Sequence, residues 1–234
     1  MTDIRTETVP LVDGSSLRLT VAEPVSPVRG GIVVLHEARG VTDAVRGLVQ
    51  GLAGDGWLTV APHLYHRDGA DELDGAANDD EVQQQVDRLE GEQVMADTDT
   101  AFGWLADHDI SADRMGVIGF DLGGSVALLV AAKRRLGAAV TVGGEGVALA
   151  PSAGLPPLIE AAPGLTCPWL GIYGESADGT TDPEIGTLRD AASRSEVATD
   201  LVVYPRRGHR FDDDPGIAAD AWQRTLNWFD SHLR

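Results

Sequence analysis

The stretch Gly119-Phe120-Asp121-Leu122-Gly123-Gly124 constrains the fold more than any other part of this 234-residue chain. An apolar β-type run at 115–118 leads straight into it, and an apolar helical run at 126–132 leads straight out. Glycines on both sides let the chain turn sharply and let the helix pack close to the strand. The central side chain is thereby driven into a strained, exposed position. Units of this kind present a nucleophile, usually Ser or Cys, at the end of a strand. Here the tip is Asp121, whose carboxylate needs no base to become a nucleophile and is also a good helix N-cap.

Elsewhere, short β-rich apolar runs alternate with helical patterns, the signature of βαβ units and a largely parallel sheet. Runs at 7–11 and 17–22 flank Asp13-Gly14 and predict an opening hairpin. Further strands are predicted at 31–35, 58–61, 138–142, 169–173 and 201–204. Helices are predicted at 42–53 with Thr42 as N-cap, at 99–105, and at 217–233. In the last of these, Ala221, Trp222, Leu226, Trp228 and Phe229 recur at helical spacing and read as core packing. The acidic stretch 71–92 reads as a solvated face covering the sheet edge. No repeat or linker divides the chain, so a single α/β domain over 1–234 is expected.

A formal net charge of −19 excludes nucleic acid and anionic membrane surfaces as partners, since both need a basic face. Residues 1–10 carry no secretory-type apolar segment, and no apolar run is long enough to cross a bilayer. Cys167 is the only cysteine, at the entrance to an apolar strand, and reads as a buried, inert thiol. These features predict a cytoplasmic protein, monomeric or a small homo-oligomer, whose partner is a small molecule.

In open α/β sheets the reactive groups gather past the carboxyl ends of the strands. The ionisable residues there are His36 and Glu37, His63 and His66, Asp121, Glu175 and Asp178, and His209. Asp121, Asp178 and His209 keep the chain order nucleophile, acid, histidine, each just after its own strand. The imidazoles and carboxylates at 36, 37, 63, 66, 121 and 209 also suit a divalent metal. His63 and His66 read equally well as loop surface, however, and no HExxH helix exists, so no metal or other cofactor is expected. His108 and His232 read as surface residues.

On these residues the chain resembles the dienelactone hydrolase family of α/β-hydrolases. The resemblance rests on the apolar strand ending in Glu37-Ala38-Arg39-Gly40, on Gly56-Trp57, and on Ala61-Pro62-His63-Leu64-Tyr65. It continues through the turn around Asp121, Leu170 to Glu175, and Tyr204-Pro205 with Gly208-His209 and Phe211. It implies an eight-stranded, mostly parallel sheet with the second strand antiparallel, helices on both faces and no cap domain. It also implies that Asp121 replaces a cysteine nucleophile, that His209 is the general base, and that Glu37 stands beside the nucleophile. Backbone N–H groups of Leu122 and Ala38 would form the oxyanion hole. Asp178 is the acid that orients His209, one residue out of register, with Glu175 and Asp182 as alternatives. The arginine that holds a substrate carboxylate is replaced by Asp212-Asp213-Asp214, leaving Arg39 and Arg210 as nearby substitutes.

The expected function is hydrolysis of a small ester, lactone or related electrophile. Carboxylate attack on an acyl carbon gives a mixed anhydride, whereas attack on a carbon bearing halide or epoxide oxygen gives an ordinary ester. The alternatives are therefore a haloalkane dehalogenase or epoxide hydrolase type of enzyme, or an inactive relative that binds a ligand. Asp121 has a plainer reading too, as a cap for the helix that follows.

Overall fold

The computed structural model describes residues 3–69, 72–73, 75–152, 154–175, 182–204 and 214–233. The first strands are β1 (Ile4–Pro10), β2 (Ser16–Ala22), β3 (Gly31–Leu35) and β4 (Leu58–Pro62). They are followed by β5 (Met115–Phe120), β6 (Ala138–Val142), β7 (Trp169–Gly174) and β8 (Thr199–Tyr204). These eight strands form one sheet in the order β1-β2-β4-β3-β5-β6-β7-β8. β2 runs antiparallel to both neighbours, and β3 to β8 pair in parallel, as the sequence reading expected. β3 and β4 are buried at every position, which is why Ile32 to Leu35 read as a continuous apolar run and β4 shows no alternation of polar and apolar residues.

Alternate strand residues feed two cores. Ile32 and Val34 of β3, with Ile118 and Ile172, pack under α1 (Asp43–Gly54) and α7 (Pro215–His232). Val33 and Leu35, with Val117 and Ala139, pack under α3 (Gly91–Asp107), α4 (Leu122–Lys133) and α6 (Pro183–Ala192). α4 is buried from Leu122 to Ala131, so it is apolar around its whole circumference and shows no polar face. Two shorter helices, α2 (Asp79–Asp87) and α5 (Leu158–Ala161), complete the fold.

One local expectation changes. The helix predicted to begin at 99 begins at Gly91, because Val94, Met95 and even Asp97 are buried on its inner face. α6 buries Ile185, Leu188, Ala191 and Ala192, and its start at Pro183 is set by Asp182, whose side chain accepts from the Glu184 N–H. At the start of the acidic stretch, Leu73 N–H donates to Arg39 C=O in the loop after β3, and Glu72 pairs with Arg46 of α1.

His63 and His66 are not surface residues. His63 is buried and meets Thr20 Oγ1 at 2.8 Å. His66 contacts the fully buried Asp97 at 3.0 Å, and Arg67 makes a bidentate pair with the same carboxylate at 2.6 and 2.9 Å. This cluster fastens the 3-10 turn at His66–Asp68 to α3. Removing one partner of such a pair leaves charge without compensation in a dry setting. Asp97→Ala should therefore destabilise the protein by about 3 kcal/mol, the lower end of the usual range because Arg67 keeps some access to water. Urea unfolding of the two proteins measures it, and an unchanged midpoint would remove the cluster's structural role.

Candidate active site

β5 reaches the tip at Asp121, which adopts φ 50° and ψ −114°. Only Asp109 shares a positive φ among the described non-glycine residues, and Asp121 lies outside even the left-handed helical well. Such a conformation costs roughly 1–3 kcal/mol and persists where the surroundings enforce it. The enforcement is visible. Asp121 N–H donates to Val142 C=O at 2.9 Å, and its own C=O accepts from Ser125 N–H at 3.1 Å. A Cβ on Gly119 would stand 1.9 Å from Gly123 O, and one on Gly123 would stand 2.4 Å from Leu35 O. Both positions are glycine because the start of α4 presses against β5 and the end of β3 at once. Asp121 occupies the N-cap position, yet its side chain makes no capping hydrogen bond, so capping does not account for the aspartate.

The same contact sets the start of α4, whose first N–H is on Leu122, against the Leu35 and His36 carbonyls, where the loop His36-Glu37-Ala38-Arg39 begins. As the first helical residue, Leu122 has no acceptor within the helix for this N–H, and the positive end of the helix dipole adds to it. The loop is held by two buried rings. His36 is fully buried; its Nδ1 lies 2.7 Å from Glu37 C=O and its Nε2 lies 3.2 Å from Leu64 N–H. A carbonyl only accepts and an amide only donates, so Nδ1 carries the proton and the imidazole is neutral. Burial pushes its pKa down to about 4. Tyr65 O–H donates to Ala38 C=O at 2.6 Å, and its ring tilts against His36. The Glu37–Ala38 peptide, which carries the Ala38 N–H, is thus oriented from its carbonyl side by His36, and the following Ala38–Arg39 peptide by Tyr65.

Asp121, Glu37 and Arg39 share one cavity of about 520 Å³, within the range usual for small-molecule sites. Arg39 Nη2 donates to Ala77 C=O at 3.1 Å, while Nη1 is buried and has no hydrogen-bond partner among the described residues. A guanidinium nitrogen left in that state, in a cavity with two carboxylates, is suited to a ligand oxygen. Trp222 packs against the core, as its helical spacing indicates, and also lines the cavity. Phe229, on the same helix, does pack fully inside against Trp57. The spacing of Ala218, Ala221, Trp222 and Thr225 marked one face of α7 without saying whether protein or ligand covers it.

Asp178, His209 and Arg210 lie outside the described residues. Of the alternative acids, Asp182 has its carboxylate engaged as the cap of α6. Glu175 follows β7 directly, with its N–H on Tyr204 C=O. Cys167 is buried, and burial pushes its thiol up to about 12, so the inert reading holds. Among the described residues no three His, Cys, Asp or Glu side chains gather as a metal site, and His63 and His66 are engaged elsewhere as described. Within the same residues no helix is long and apolar enough to cross a membrane.

Residues 17–233 match the sequence profile of the dienelactone hydrolase family. A Yersinia pestis relative, provisionally named carboxymethylenebutenolidase, is 32% identical over 209 residues, covering 86% of this chain and 78% of its own. A Salmonella typhimurium relative with the same provisional name is 33% identical over 205 residues, covering 85% and 76%. Among solved structures, one from Klebsiella pneumoniae provisionally identified as a dienelactone hydrolase superposes with a TM-score of 0.88 and 29% identity. It covers 99% of this chain and 100% of its own.

Two measurements check the loop clamp. His36 has a folded pKa of about 4 against an ordinary value of 6.5, so as pH falls from 6.5 towards 4 the unfolded chain gains a proton that the folded one refuses. Stability should fall across that window by about 3 kcal/mol through this group, and His36→Gln should flatten part of the loss in Tm measured against pH. Tyr65→Phe removes the hydrogen bond to Ala38 C=O, which fixes the Ala38–Arg39 peptide, and should cost about 1 kcal/mol of stability in urea unfolding. An unchanged midpoint in Tyr65→Phe would show that this peptide needs no such support.

Proposed function

Because the chain belongs to the dienelactone hydrolase family, we propose that it hydrolyses a small lactone or ester in the cavity below Asp121. The observation that carries this reading is the strained turn itself. Its backbone is held in the conformation that presents an attacking group although the residue at the tip has changed. The substrate carbonyl oxygen points at the N–H groups of Ala38 and Leu122, which stabilise the charge that develops there. Arg39, with Arg210, holds a polar or anionic group of the substrate, and the open Nη1 supports that role.

Asp121 stands where the family's thiolate attacks. An acyl-aspartyl intermediate would be an anhydride, a poor exchange for an ester, so water attacks the carbonyl directly. Its oxygen bonds to the carbonyl carbon while His209 takes its proton, with Asp178 orienting the ring. Collapse of the tetrahedral oxyanion breaks the bond to the alkoxide, which recovers the proton from His209. Asp121, next to Glu37, accepts a hydrogen bond from the attacking water and aims it. Catalysis of this sort keeps the oxyanion and binding contributions, worth roughly 10³–10⁴ over water, without the covalent step.

Attack by Asp121 on a halide-bearing or epoxide carbon is the competing chemistry. Enzymes of that kind carry a helical cap after the strand equivalent to β6. Among the described residues, 143–168 contain only α5 and one 3-10 turn. The absence of such a cap favours acyl chemistry.

Turnover of nitrophenyl esters and lactones in heavy-oxygen water separates these readings. Hydrolysis with no label in the peptide containing Asp121 is expected; label in that carboxylate would establish covalent aspartyl catalysis instead. Asp121→Cys should raise ester turnover by at least about tenfold and give a burst of nitrophenol, because a thiolate restores the two-step route. Silence of both proteins on the full panel would reduce the site to ligand binding.

A further inference from the structure

We propose that the substrate carries an unbranched apolar chain, several methylenes long, which lies in a cleft between α1 and α7 on one face of the sheet. The proposal rests on the hydrolase reading and narrows its substrate class. The cavity does not stay at the carboxyl edge of the sheet, where Asp121 stands. It extends down the face formed by Ile118 of β5, Val142 of β6 and Ile172 of β7. Ile118 lies three residues before Asp121, so the floor is about 10 Å along the strand from the tip.

The walls of this extension are two helix faces. α7 turns Ala218, Ala221, Trp222 and Thr225 towards it, an i, i+3, i+4, i+7 stripe, and α1 turns Val45 and Leu48. The two alanines create the space, since a methyl group is all that α7 offers where a larger side chain would close onto α1. Thr225 donates its hydroxyl to Ala221 C=O at 3.0 Å, so it presents no open donor to the cleft. The charged groups among the described lining residues are Glu37, Arg39 and Asp121, all following the carboxyl ends of β3 and β5. A slot with apolar walls below a polar mouth holds water poorly, because water there lacks the partners it needs. A neutral hydrocarbon chain attached to the reacting carbonyl satisfies both ends: its head meets the polar group and its tail lies against the apolar walls.

The test combines turnover with binding that needs no turnover. Across nitrophenyl acetate, butyrate and octanoate, kcat/KM of the wild-type protein should rise, by at most about fourfold per added methylene, until the cleft is full. Calorimetry with unreactive ketones should show methyl heptyl ketone binding at least tenfold more tightly than methyl ethyl ketone. Ala221→Trp fills the cleft and should collapse both ratios towards unity; Ala218→Phe, closer to the mouth, gives the same readout if the first variant does not fold. Ketone selectivity without any ester turnover would uphold the cleft and overturn the hydrolase reading. Ester turnover or ketone affinity indifferent to chain length, or ratios unaltered in the folded variants, would overturn the proposal and leave the hydrolase reading standing.

Discussion

The site depends on the close approach of the start of α4 to the ends of β3 and β5. With no side chain at 119 or 123, backbone meets backbone, and a Cβ at either position would overlap a carbonyl. Three consequences follow from that contact. Asp121 is forced into its strained conformation and out of the sheet. The first turn of α4 is set against the Leu35 and His36 carbonyls, where the Ala38 loop begins. The apolar α4 is seated deep in the core, where its burial offsets the cost of the strained turn. A change of the residue at 121 alters none of this, since the geometry is enforced by its neighbours. The turn therefore survives with a carboxylate at its tip.

A second layer of support is polar and buried. His36 and Tyr65 clamp the loop that faces the turn, and the Asp97 cluster fastens the segment after β4, from which Tyr65 projects, to α3. Each of these groups is satisfied by a partner, as low-dielectric surroundings require. Arg39 Nη1 is the exception beside Asp121, and its place in the cavity turns an unmet hydrogen bond into a means of recognising a ligand. The surplus of acid in the chain is spread over the surface and says little about the pocket. There the mouth mixes two carboxylates with one guanidinium, and the depth is hydrocarbon.

Much of this architecture was legible from pattern. Buried parallel strands read as continuous apolar runs because both faces are covered, and β3 and β6 carry the bounds that their Val and Ile content predicted. Thr42 was identifiable as a cap because only a side-chain oxygen meets the free N–H groups there, and it accepts from Val45 N–H. Local chemistry misled in the region 63–97. His63 and His66 look like loop residues by composition, but their burial depends on Thr20 and Asp97, which are far away in the chain. α6 went unassigned although Ile185, Leu188, Ala191 and Ala192 are buried at helical spacing, and Trp222 packs on the core as its spacing indicated while also lining the cavity.

Sequence by itself determined the class of fold, the strained turn with an aspartate at its tip, and the order of the reactive groups along the chain. Those features are set by short-range sterics and by periodicity, which a linear string records. The tertiary structure decided which of the strand-end residues face a common space. It left His63 and His66 to structure, gave Asp182 to a helix cap, and joined Glu37, Arg39 and Asp121 to a cleft between two helices more than a hundred residues apart. Cavities are the space that packing leaves empty, and that space exists only once distant side chains have met.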